Sequence, residues 1–204
     1  MTDQSTLDLS HFSPETLDAV SKVLVTSAGN PPLIHDVIVH GLKTNRDPRG
    51  TLTELLRADW PDVFGEQMPF KQVYTSTTGS GVARDIDKWH VHQHQTDRFY
   101  CMAGTIVVAI ADPRPDSPTR GAVMLVELAA QDDAPAPMLV TIPPQTLHGF
   151  VVTSEGPATL LNFPNQLYDP ADEGRLPFNE AGVTFADGSP FSYDAVRALY
   201  ASRS

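Results

Sequence analysis

The chain has 204 residues and a formal net charge of -11, with 41% hydrophobic and 19% charged residues. That length permits one good-sized core and does not require two domains. The 14 basic residues are scattered and form no basic face, which excludes a general nucleic-acid binder.

The chain opens with a polar, acidic stretch, MTDQSTLDLS, that lacks the basic and apolar regions of a signal peptide. SPETLDAV then reads as a short helix. Ser13 caps it, Pro14 takes the first helical position, and Glu15 suits the first turn. Ala19, Val23 and Leu24 give it a modest apolar face, and AGNPP at 28–32 ends it. Residues 1–32 are therefore expected to form an N-terminal helical arm.

From Leu33 the character changes. LIHDVIVHGL, RGTLTELLR, FKQVYTST, RFYCMAG, TIVVAIAD and AVMLVEL are short, rich in β-branched or aromatic residues, and bounded by Gly, Pro, Asp or Asn. MLVTIPP, HGFVVTSEG and ATLLNFP follow in the same style. The intervals are too short for βαβ crossovers, and the 18 prolines argue against a helix bundle. An all-β sandwich or barrel is expected over 33–185. Residues 186–204 then read as a helical tail. Ser189 and Pro190 start its helix, and Tyr193, Val196 and Tyr200 form its apolar stripe.

Cys101 is the sole cysteine, so no internal disulfide can form. No apolar run reaches the ~20 residues of a membrane span. A cytoplasmic protein without membrane or nucleic-acid partners is expected. An anionic small molecule is compatible with the charge, because a few arginines can dominate a pocket locally.

KWHVHQHQTDRFYCMAG at 88–104 carries the most chemistry. On a strand His90, His92 and His94 share one face, and Trp89, Val91 and Gln93 take the other. Buried imidazoles need partners for a donor and an acceptor each, so a wet pocket or a metal is implied. His94 falls towards the strand end and outside the inner shell.

The spacing H-x-H, then Asp97, then Gly104, with His148 in the downstream PPQTLH, resembles the two motifs of the cupin superfamily. That resemblance implies a cupin jelly-roll barrel flanked by short terminal helices. It also implies His90, His92, Asp97 and His148 as metal ligands. Neutral imidazoles and one carboxylate suit Fe, Mn, Ni, Co or Zn. Asp97 stands where glutamate is usual. Gln145 stands where the second motif has glycine, so the turn is expected to be made differently.

Further segments narrow the resemblance. DPRG at 47–50, ADPRPDSPTRG at 111–121, IPPQTLHGFVV at 142–152 and YDPADEGRLPFNEAG at 168–182 occur in order. Together they resemble the dTDP-4-dehydrorhamnose 3,5-epimerase branch of the cupins. The resemblance implies a cofactor-free enzyme that abstracts a proton beside the carbonyl of a keto-sugar, nucleotide-linked or not. It implies His90 as base, His148 as a second pocket histidine, and Asp187 or Asp194 as support for His90. It suggests Arg49, Arg84 and Arg114 for an anionic substrate or for structural ion pairs, with Gln72, Trp89 and Asn162 as further substrate-binding residues. It also implies a homodimer formed by strand exchange.

The sequence departs from that branch at two active positions. The family's lysine aligns with Asp97, and its catalytic tyrosine aligns with Asn162, leaving Tyr168 as the nearby substrate-packing phenol. An amide is no proton donor of comparable strength. Three readings follow: an epimerase with altered chemistry, a metal-dependent cupin such as a dioxygenase or lyase, and a non-catalytic sugar-binding cupin.

Overall fold

The computed structural model describes residues 13–26, 33–130 and 137–201. Helix α1 spans Pro14–Ser21. Strands β1 (Leu24–Thr26), β2 (Ile38–Gly41), β3 (Thr44–Asp47), β4 (Gly50–Thr53), β5 (Tyr74–Thr78) and β6 (Lys88–His92) follow. Then come β7 (Asp97–Ala103), β8 (Thr105–Ala111), β9 (Val123–Ala129), β10 (Met138–Ile142), β11 (Leu147–Val152), β12 (Ala158–Asn162) and β13 (Glu173–Pro177). A short 3-10 turn at Phe178–Glu180 precedes α2 at Tyr193–Ala201.

Every strand pair is antiparallel. A six-stranded sheet runs β1-β9-β8-β11-β6-β13, a five-stranded sheet runs β2-β10-β7-β12-β5, and β3-β4 is a hairpin. No strand pairing joins the two large sheets among the described residues, so the expected barrel closure is not seen. The protein is a mostly antiparallel β structure with two short helices.

Period-2 alternation builds three apolar layers. Ile106, Val108 and Ile110 of β8 face Phe99, Val140 and Leu160 of the other sheet in the central core. Val107, Ala109 and Ala111 point outward and are covered by Phe191, Tyr193, Val196 and Tyr200 around α2. This double burial explains why TIVVAIA reads as a continuous apolar run. Tyr100 and Leu139 point outward from the five-stranded sheet, beneath Val63 and Leu42.

The helix signals hold with shifted ends. The Ser13 hydroxyl accepts from Thr16 N–H at 3.2 Å, and Pro14 opens α1. The helix stops at Ser21, and Leu24 belongs to β1, where it pairs with Leu125. AGNPP at 28–32 lies outside the described residues. Helix α2 begins at Tyr193, because the Ser192 hydroxyl accepts from Ala195 N–H at 3.2 Å. Ser189 instead closes a turn on Asp187.

Gly41 seats α1. Its N–H donates to Thr16 Oγ1 at 2.9 Å. A Cβ at this position would lie 2.1 Å from the Glu15 carbonyl carbon, so the two backbones touch only because the side chain is missing.

Candidate active site

Three antiparallel neighbours assemble the site. His90 of β6 pairs across the sheet with His148 of β11 on one side and Arg175 of β13 on the other. Alternation carries His90 and His92 inward. It sends Trp89 outward, where it is fully buried against Phe178 and Phe191. Trp89 is therefore a packing residue and not a substrate platform, because it lies on the face opposite His90.

His90 Nε2 and His92 Nε2 are 2.9 Å apart. His90, His92 and His148 each place one ring nitrogen within 4.8 Å of the others. His92 Nδ1 donates to Asp172 Oδ2 at 3.1 Å. Asp172 also accepts from the N–H groups of His94 and Gln95, at 2.7 and 3.1 Å, so its carboxylate is fixed by the turn after β6. His94 itself stays outside, exposed. Gln95 Nε2 contacts His92 Nε2 at 3.0 Å and donates to Asp97 Oδ1 at 2.8 Å.

Asp97 is buried and faces the histidines from β7. Its Oδ2 lies 3.3 Å from His148 Nε2 and 3.7 Å from His92 Nε2. Burial opposes its charge, but His148, His92 and the Asn162 amide override that and hold its carboxyl below the usual range. Asn162 Nδ2 donates to Asp97 Oδ1 and to the Tyr74 hydroxyl, both at 2.9 Å. Its Oδ1 accepts from Arg98 N–H at 2.9 Å, which fixes the amide's orientation.

The expected support for His90 is corrected. Asp187 accepts from Ser189 in an exposed turn, and Asp194 pairs with Arg197 on α2. Glu173 of β13 sits 3.7 Å from His90 Nδ1 instead. Burial, then the charges of His148, Arg175 and His92, pull the His90 imidazole down to about 3. At neutral pH it is therefore unprotonated, the form that can accept a proton.

A cavity of about 170 Å³ opens over this cluster. Tyr74, Ser76, Arg84, His90, Asp97 and His148 supply its polar wall, and Phe99, Phe150 and Leu160 its apolar wall. Arg84 is the only member of the expected arginine trio on the cavity. Arg49 is exposed and held by Asp47 at the β3–β4 hairpin. Arg114 is tied to Asp112, Asp36 and the His35 carbonyl, a structural clasp on the SPT turn. Gln72 lies half-buried outside the cavity lining. Tyr168 is 68% exposed and lines a separate groove with Lys71 and His94.

Gln145 also departs from expectation. It adopts the left-handed backbone, φ 63°, which glycine would take at no steric cost. Its N–H donates to the His92 carbonyl at 2.7 Å, and that bond ties the turn before His148 to the end of β6. The turn is therefore made in left-handed geometry without glycine.

Four site residues escaped the sequence reading: Tyr74, Gln95, Asp172 and Glu173. Only Tyr74 carried a signal. In FKQVYTST it alternates with Gln72 and Ser76 on one strand face. The others arrive through a turn and through distant sheet pairing.

The fold and site define a histidine-centred pocket set between two antiparallel sheets. The family model described as dTDP-4-dehydrorhamnose 3,5-epimerase matches residues 32–191, and the chain belongs to that family. A probable low-salt glycan biosynthesis epimerase, Agl13 of Haloferax volcanii, is 37% identical over 72% of this chain and 90% of its own. The spore coat polysaccharide biosynthesis protein SpsL of Bacillus subtilis is 32% identical over 75% of this chain and 95% of its own. The crystal structure of a dTDP sugar isomerase from Desulfovibrio desulfuricans G20 superposes with a TM-score of 0.63 at 25% identity. It covers 76% of this chain and 96% of that one. The protein is an epimerase- or isomerase-like enzyme acting on nucleotide keto-sugars through histidine chemistry. No described helix is long and apolar enough to cross a membrane.

Proposed function

We propose that the protein inverts one carbon beside the ketone of a nucleotide-linked 4-keto sugar, with His90 as the base. The observation that carries this reading is the His90 imidazole on the cavity wall, with Glu173 3.7 Å from its Nδ1. Glu173, which also pairs with Arg175 at 2.5 Å, is a carboxylate beside His90 once the proton is taken. Arg84 at the cavity is the candidate for the charge that develops on the ketone oxygen. The working unit is a jelly-roll cupin domain over 33–185, with the arm and tail as covers, acting as a cytoplasmic homodimer.

Incubation in D2O with a panel of nucleotide-linked 4-keto sugars tests this. Deuterium should enter at the carbon beside the ketone, and one epimer should accumulate. Absence of both across the panel would sink the reading.

A second reading rests on the cluster itself. The His148 Nδ1–H donates to the Thr146 carbonyl at 3.2 Å, which turns its buried Nε2 towards Asp97 Oδ2 at 3.3 Å. That nitrogen, together with His90, His92 and Asp97, fits a divalent metal. When bound, the ion would polarise the ketone oxygen and supply the positive charge that Asp97 removes. Metal analysis of the purified protein discriminates the two. Stoichiometric metal that disappears in His92→Ala supports this second reading, and metal-free active protein rejects it.

A further inference from the structure

We propose that Tyr74 is the general acid of this site, returning a proton to the substrate carbon from the face opposite His90. This rests on the keto-sugar reading above and completes its chemistry.

The placement follows from the two sheets. His90 stands on β6 of the six-stranded sheet, and Tyr74 on β5 of the five-stranded sheet. Both line the same cavity, from opposite layers of the fold. A sugar ring lying between them presents one face to the imidazole and the other to the phenol. Removal on one face and delivery on the other inverts the carbon, whereas a single wall would return the proton to the side it left.

Hydrogen bonding leaves the phenol ready to donate. Asn162 Oδ1 is taken by Arg98 N–H, so its Nδ2 faces the Tyr74 oxygen at 2.9 Å. The oxygen accepts that bond and keeps its own proton to give. The same N–H stabilises the phenolate that forms. Burial, and then the charge of Asp97, push the Tyr74 phenol up, so it is protonated at neutral pH. Ser76, two residues along the same face, has a buried hydroxyl without a hydrogen-bond partner, as expected of a wall built to meet a polar ligand.

The step balances without a further reactant. The C–H electron pair becomes the enolate C=C as His90 takes the proton. The enolate collapses to the ketone as carbon takes the phenolic proton. Imidazolium and phenolate remain, and exchange with water restores both.

Tyr74→Phe tests this. Tyr74 lies half-exposed on an edge strand, so the variant is expected to fold with an unchanged melting temperature. Net epimer formation should fall about 10²- to 10⁴-fold, the usual share of one positioned acid. Deuterium exchange at the same carbon, with retained configuration, should continue through His90. Epimer formation within threefold of wild type would overturn the Tyr74 assignment and leave the keto-sugar reading standing. Loss of exchange together with epimer formation in the folded variant would also overturn it, because the phenol would then serve deprotonation. No exchange in the wild type would overturn both.

Discussion

His90→Asn should lower kcat/KM on a nucleotide-linked keto-sugar by about 10³-fold, the middle of the range for removing one positioned base. Asparagine retains a polar group on the β6 face, so the fold should persist. Deuterium incorporation beside the ketone should vanish with turnover, which separates this variant from Tyr74→Phe. The pH profile gives a second check. Folding pulls the imidazole down from 6.5 to about 3, so it stays unprotonated well below the usual histidine range. The acid limb of kcat/KM belonging to this group should therefore lie far below pH 6.5. A full-rate His90→Asn enzyme would remove the histidine from the mechanism.

Arg98→Met should cost about 3 kcal/mol in denaturant unfolding, the range for stripping one partner from a buried charged network. Arg98 is fully buried on β7, beside Asp97. Its guanidinium donates to the Phe163 carbonyl at 2.8 Å and to the Met68 carbonyl at 2.5 Å. One planar fork thus joins the end of β12 to the loop entering β5. Methionine fills much of the volume but leaves both carbonyls unpaired. Arg98→Lys should not rescue fully, because an ammonium cannot span the two acceptors with the same geometry. A loss below about 1 kcal/mol would mean that water replaces the guanidinium.

The alternation within KWHVH was legible because a strand leaves a side chain only two directions. It put His90 and His92 on one face, and the same reasoning should have removed Trp89 from the substrate residues. The pairing of His148 with that face was legible only through family spacing. Glu173 and Asp172 were not legible. They reach the histidines because β13 pairs with β6, a contact across about 80 residues that no local pattern encodes. Of the arginines, Arg84 lines the cavity, while Arg49 and Arg114 take the structural ion-pair alternative. Arg49 and Arg114 each have a carboxylate two residues away, and that local partner captured them. Strand runs reveal number and burial but not how sheet edges meet, so the lack of pairing between the two large sheets among the described residues was not legible.

Gly41 makes the order of α1 a report on the sheet. An eight-residue helix has too few internal bonds to persist alone in water. Its seat is a contact between two backbones, at a place where any added atom would evict it. The helix therefore has no independent stability to contribute. It should melt when β2 does, and its loss in hydrogen exchange would date the opening of that edge of the protein.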